Sequence, residues 1–513
     1  MRRAALRAVC VLGLLAAGCA TRVPATPGET PAGRRGGAAA PGAVAPPAEG
    51  AAAVQALRAD LVAATALPGV RHGAWGVVVE SLDRRERLFE LNPRTLLIPA
   101  STAKLVSVAS AAEAVGWDYT FLTELHATGP IEDGVLKGDL VVVGHGDPTW
   151  SGPAGADVSA LAQVLAGKVT RIEGLIVADD DQVEEPRPQL AWTWDDLGYP
   201  TGAVFGALNA DQNVTGLRVL AGAAEGQPTT MVPDPNAAGR ALVNRTATGA
   251  PGSRAFIWPE QRPGETPLTV AGSVPAGGPA ARLAVAVGNP TLWFAQRLRG
   301  ALVAAGVQVP GGAFDVDDIR PRPVLTAETL IAGHMSSPLS AIVRPLLKDS
   351  INLYAEAVMR LNAVPADVPT NDAALGGLRA RLTAWNVPPD GVQLVDGSGL
   401  SRRSVIAPEA LLAVLARMHD PTGRSPFVAA LPVAGVDGSL ARRMKGTAAE
   451  GRVLAKTGTM SNIRTLAGYA TTAEGEHLAF VILLNNFEGT GTEATDAVDR
   501  MAVRIASFRR VGP

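Results

Sequence analysis

The two ends of this chain are patterned alike and its middle is not, and that contrast constrains the fold more than any other feature. Residues 51–66 repeat their apolar positions with a helical period, and residues 74–80 and 85–91 alternate like the two strands of a hairpin. Towards the other end, residues 452–456, 465–471 and 477–485 again read as strands, followed by a helix over 493–507. Helical patterning also marks 102–115, 338–361 and 408–418. From about 123 to 320 the character changes to short strands and frequent Gly/Pro turns, as at 138–144, 171–178 and 268–274. The ends therefore read as one α+β domain, residues 51–122 and 321–513, whose antiparallel sheet joins the first strands to the last three and carries the terminal helices on one face. Residues 123–320 read as a large, mainly β insertion.

Composition narrows the function. Hydrophobic residues make up 47% and charged residues 18% of the 513, enough apolar surface for most of the chain to fold. A formal charge of −2 leaves no basic footprint for a phosphate backbone, so nucleic acid is not an expected partner. Two cysteines, Cys10 and Cys19, are too few for a disulfide framework or a thiolate zinc site.

The amino terminus reads as an export signal over residues 1–18: Arg2, Arg3 and Arg7, then apolar residues 8–17, then Gly18. Ala16-Ala17-Gly18-Cys19 resembles a bacterial lipobox, which makes Cys19 the expected lipidation site and residues 19–50, rich in Pro, Ala and Gly, a tether. No apolar run approaches the roughly 20 residues of a spanning helix. The expected contact with membrane is the lipid alone, and the expected location the periplasmic face of the outer membrane; cleavage after Ala20 would instead give a soluble periplasmic product.

Only six of the 46 basic residues are lysines, and two of those six sit in short motifs. Three such motifs occur in order: Ser101-Thr102-Ala103-Lys104, Ser350-Ile351-Asn352 and Lys456-Thr457-Gly458. Each is weak alone, but the first and third together arise by chance on the order of once in a hundred such chains. Ser101 at a helix start lies one turn from Lys104, and a lysine whose pKa is lowered by burial can take the serine proton. Ser350 can relay a proton and the Asn352 amide can orient Lys104. Lys456 and the Thr457 hydroxyl, at the end of a strand, can hold a carboxylate, and a small residue at Gly458 lets an acyl chain approach the backbone. The backbone N–H groups of Ser101 and Thr459 would form an oxyanion hole. Taken singly, the serines also suit helix caps and the lysines exposed positions.

The set matches the Ser-x-x-Lys, Ser-x-Asn and Lys-Thr-Gly motifs of penicillin-binding proteins and serine β-lactamases. With Gly138-Asp139-Leu140, Gly146-Asp147-Pro148, residues 195–200 (Asp-Asp-Leu-Gly-Tyr-Pro) and 396–402 (Asp-Gly-Ser-Gly-Leu-Ser-Arg), the chain resembles the class C penicillin-binding proteins of the D-alanyl-D-alanine carboxypeptidase/endopeptidase family over roughly residues 51–510. The 249 residues between Ser101 and Ser350 fit a family that carries an insertion there. The resemblance implies a serine peptidase acting on peptidoglycan stem peptides through an acyl-enzyme, with β-lactams as covalent inhibitors. It also implies Asp147 and Arg402 as contacts for the charged end of a diaminopimelate side chain.

Two other readings stay open on sequence: a catalytically idle lipoprotein that binds peptidoglycan, and a β-lactamase. No cofactor is implied, since phosphate loops and dinucleotide fingerprints are missing. His145 and Asp147 suggest a metal pair, but the six histidines form no cluster with ligand spacing, and no metal is expected.

Overall fold

The strand His477–Asn485 explains the centre of the fold. Its residues from Leu478 to Leu484 are all apolar and inaccessible to solvent. Leu478, Phe480, Ile482 and Leu484 point to one face, and Ala479, Val481 and Leu483 to the other, each face meeting a separate core. Such a strand is stable only when covered on both sides, and it lies in the middle of a five-stranded antiparallel sheet. The order is Val453–Met460, Ile463–Thr471, His477–Asn485, Ala74–Ser81, Glu86–Leu91, so the first two and last three strands share one sheet, as the patterning implies. The helices Ala51–Thr65 and Gly491–Ala506 cover one face through Leu57, Leu61, Val498, Met501 and Ile505. The other face packs on Ala103–Val115 and Pro408–Met418.

The structure is a computed structural model that describes residues 50–510, apart from 190–191, 235–240, 263–266, 365 and 367. The expected signal, Cys19 and the tether lie outside the described residues. No described helix is long and apolar enough to cross a membrane.

Two differences from the sequence expectations bear on the site. The helical stretch expected over 338–361 is two helices, Leu339–Lys348 and Asn352–Arg360, separated where Ser350 adopts a left-handed backbone (φ 63°). The break lifts Ser350 out of a helix into the cleft described below. The insertion also runs past residue 320. It begins with a five-stranded sheet ordered Ala313–Asp315, Ile176–Asp179, Leu140–Gly144, Leu122–Ala127, Leu330–Met335, whose last edge strand pairs antiparallel with Leu122–Ala127. The next element, the helix Leu339–Lys348, joins the core formed by Ala103–Val115 and Pro408–Met418. Two three-stranded sheets, covering parts of 214–286, pack on each other through Leu217, Val219, Leu268 and Val270.

Candidate active site

A 3-10 turn, Ala100–Thr102, leads into the buried helix Ala103–Val115 and puts Ser101 and Lys104 on one side of the chain. Lys104 Nζ lies 2.8 Å from Ser101 Oγ, and it donates to Asn352 Oδ1 at 2.6 Å and to the Ser398 carbonyl at 2.8 Å. A neutral amine has two N–H bonds and one lone pair. The two carbonyl-type acceptors occupy both hydrogens, which leaves the lone pair for the Ser101 hydroxyl. The orientation of the Asn352 amide is fixed from its far side, where Nδ2 donates to the Thr201 carbonyl at 2.8 Å. Lys104 is completely buried, and that desolvation lowers its pKa from 10.5 to about 7 against the opposing pull of Asp396 and Glu356.

Those two carboxylates were not singled out from the sequence. Glu356, on the helix Asn352–Arg360, accepts from the Gly397 and Ser398 amides. Asp396 accepts from the Gly399 and Ser401 amides, the Ser404 hydroxyl and Trp192 Nε1. Both side chains are inaccessible to solvent. Together they clamp the 396–401 turn so that the Ser398 carbonyl meets Lys104. The signal lay in the Asp-Gly-Ser-Gly stretch itself, where an aspartate before small residues builds a turn from its own backbone amides.

Lys456 sits inside the strand Val453–Met460, not at its end, and it is fully buried. Its Nζ donates to Ser350 Oγ at 2.9 Å and to the Thr457 carbonyl at 2.8 Å. Burial first, and then the nearby Lys104 charge, push its pKa well below the ordinary lysine value. The Thr457 hydroxyl lies 2.8 Å from the hydroxyl of Ser439, a second partner that the sequence did not suggest.

The structure adds a second reason for glycine at 458, besides the expected approach of an acyl chain. A Cβ there would stand 2.1 Å from Thr465 Oγ1, 2.8 Å from the Pro99 carbonyl and 3.0 Å from the Ser101 nitrogen. Glycine lets the strand edge pass against the turn that carries the nucleophile. The same edge carries the Thr459 amide. Ala455 N–H donates off the sheet to the Pro432 carbonyl, and strand residues two apart turn the same way, so Thr459 N–H faces this free edge beside Ser101. Gly458→Ala is expected to cost about 1–3 kcal/mol in a denaturant titration. It should slow acylation by a β-lactam about 100-fold, because the displaced edge carries the Thr459 amide, expected from the sequence to face the oxyanion; unchanged stability and rate would show that the crowding relaxes.

Ser101, Ser350, Asn352, Thr457, Thr459 and Arg402 all line one cleft of about 380 Å³. Asp147 does not. It is buried, and its Oδ1 accepts from the Thr149 amide and hydroxyl, closing a turn before Leu208 and Asn209. Two acidic residues line the cleft with Arg402: Asp349, next to Ser350, and Asp196, from the Asp-Asp-Leu-Gly stretch; Thr201 from the same inserted segment and Ser461 line it as well. Sequence alone offered two acidic stretches in the insertion and no distance to choose between them. The His145–Asp147 metal reading also dissolves: His145 Nε2 pairs with Glu124 at 2.9 Å while Asp147 turns to Thr149.

A buried lysine poised against a serine hydroxyl, on this sheet and between these two further motifs, defines a serine acyl-transfer enzyme of the penicillin-binding class. A model of the D-Ala-D-Ala carboxypeptidase 3 (S13) family matches residues 57–507. A D-alanyl-D-alanine carboxypeptidase of Actinomadura sp. (strain R39) is 35% identical over 468 residues, spanning 88% of this chain and 85% of the relative. The D-alanyl-D-alanine carboxypeptidase DacB of Haemophilus influenzae is 26% identical over 80% of this chain and 85% of its own length. The crystal structure of penicillin binding protein 4 (dacB) from H. influenzae shares the fold, with a TM-score of 0.75 at 22% identity, covering 89% of this chain and 99% of that one. The chain belongs to the D-Ala-D-Ala carboxypeptidase (S13) family.

Proposed function

We propose that the protein hydrolyses peptidoglycan stem peptides ending in D-Ala-D-Ala, and D,D-crosslinks of the same chemistry, through an acyl-enzyme on Ser101. The observation that carries this reading is the 2.8 Å contact between Lys104 Nζ and Ser101 Oγ, with both amine hydrogens already committed elsewhere. Lys104 takes the Ser101 proton as Oγ bonds to the penultimate carbonyl carbon. The oxyanion settles against the Ser101 and Thr459 amides. Collapse breaks the C–N bond, and the departing amine receives a proton through Ser350, which Lys456 holds at 2.9 Å. Water then attacks the ester, with Lys104 again as base. Lys456 and Thr457 hold the terminal carboxylate, and Gly458 keeps the strand edge close enough for the amide pair to act.

β-Lactams present the same carbonyl and carboxylate, so a penicillin is expected to acylate Ser101. A solved H. influenzae relative that shares this fold (TM-score 0.69) is described in complex with a β-lactam. An idle binding protein would need no lowered lysine pKa and no committed amine. Rapid turnover of a chromogenic cephalosporin would favour the β-lactamase reading over the peptidase one. Digestion of purified peptidoglycan, with products identified by mass, is the deciding experiment: release of D-Ala or of split crosslinks supports the proposal, and intact muropeptides refute it.

Arg402, with Asp196 in place of Asp147, is proposed to meet the amino and carboxylate ends of a diaminopimelate side chain. Losing one charged contact of about 1.5–3 kcal/mol should raise KM for such peptides about 10–100-fold in Arg402→Ala or Asp196→Asn, while penicillin labelling stays at the wild-type level. An equal loss of labelling would place these residues in the acylation step instead. Export by the 1–18 signal, and lipidation of Cys19 as the outer-membrane anchor, complete the proposal; metabolic labelling with a fatty acid that is lost in Cys19→Ser tests it.

A further inference from the structure

The six histidines have no ligand spacing along the chain, yet the fold brings two of them together with a carboxylate. His477 opens the last strand of the sheet, His419 follows the helix Pro408–Met418, and Asp83 lies in the turn between Ala74–Ser81 and Glu86–Leu91. One nitrogen or oxygen from each lies within 4.8 Å of those of the other two. His477 Nδ1 and Asp83 Oδ1 are 3.2 Å apart. Two ligands held about 2.0–2.1 Å from a tetrahedral ion are separated by roughly 3.3 Å, so these two atoms already have the spacing of a shared metal. The other carboxylate oxygen of Asp83 accepts from the His477 amide at 2.8 Å, which orients the carboxylate as an outer-shell bond would. The His419 ring makes no hydrogen bond among the described residues. It packs between Tyr469 (centroids 5.7 Å apart) and His477 (5.6 Å), and the Tyr469 hydroxyl is tied to the Leu415 carbonyl of the helix that His419 follows.

We infer that Asp83, His419 and His477 form a binding site for one divalent transition-metal ion of the zinc type, with the fourth position open to water. Two imidazoles and one carboxylate suit such an ion and offer too few oxygens for calcium or magnesium. The site lies at the end of the sheet away from the oxyanion edge. Thr459 pairs with Arg464 and that residue with Leu484, seven residues along the strand from His477, or about 23 Å at ~3.3 Å per residue. Its effect is to clamp a hairpin turn, a helix end and a strand start, without entering the acylation chemistry. The inference stands independently of the proposed peptidase activity.

The test uses the full chain without a histidine tag, stripped with chelator and titrated with Zn2+ by calorimetry and with Co2+ by visible absorption. One Zn2+ per chain, d–d bands that saturate at one equivalent of Co2+, and a melting temperature raised by Zn2+ are expected. His419→Ala should lose more than the about 10–100-fold in affinity that an outer-shell change costs, with its melting temperature insensitive to Zn2+ and its penicillin labelling unchanged. Asp83→Asn, in an exposed turn, is the second variant should His419→Ala fold poorly. No uptake by the wild type, equal uptake by the variants, or Zn2+ that blocks penicillin labelling would each overturn the site.

Discussion

Ser101→Ala is expected to take up no label from a fluorescent penicillin and to cleave D-Ala-D-Ala peptides on the order of 10⁴–10⁶-fold more slowly than wild type. The size of the effect follows from the geometry. In the proposed mechanism Lys104, Lys456, Asn352 and the Ser101 and Thr459 amides all act on the bond formed by Ser101 Oγ, the hydroxyl that Lys104 Nζ contacts at 2.8 Å. Ser101 is half-buried, and its Oγ is one of three partners of the buried Lys104 amine, so its removal should cost the variant about 1–3 kcal/mol in a denaturant titration. Labelling of the alanine variant at the wild-type rate would remove Ser101 from the mechanism.

The acylation rate of the wild type should rise with pH and reach half its maximum near pH 7. The proposed base, Lys104, can accept a proton only when neutral, and burial brings its pKa from 10.5 to about 7, so raising the pH through that value fills the active form. An ordinary lysine would place the same rise more than three units higher. Lys104→Met, which fills the same space without a base, should lower acylation at least about 10³-fold and abolish this limb of the profile. Glu356→Gln supplies the sign check. Glu356 opposes the desolvation of Lys104, so removing its charge should move the limb to lower pH, while the amide oxygen still accepts from Gly397 and Ser398. A limb that stays in place, or moves up, would mean that another group sets it.

Much of this was legible before any coordinates, because apolar periodicity and short motifs are local. The last strand, His477–Asn485, and the helix Pro408–Met418 fall where the pattern puts them. Other boundaries were blurred where local signals coincide. The stretch 338–361 reads as one helix because both of its halves are amphipathic, and only the left-handed Ser350 separates them. The sequence pattern ends the insertion at 320 because the short strand Leu330–Met335 has a partner about 200 residues earlier, Leu330 facing His126 and Met335 facing Leu122, and sequence carries no record of such pairing.

The amino-acid order by itself determined the candidate reacting groups: a serine and a lysine one helical turn apart, and two further motifs proposed to relay a proton and hold a carboxylate. It also determined the sheet that carries them, since a strand that is apolar at every position over 478–484 must be covered on both sides. Tertiary structure decided what depends on distance and on water. It chose Asp196 over Asp147 for the cleft, recruited Asp396 and Glu356 beneath Lys104, gave Gly458 a second reason, and brought His419 to His477. Periodicity reports which way a side chain faces along its own element. Neutralising a lysine requires the removal of solvent from every side, and that arises only when segments hundreds of residues apart close around one amine.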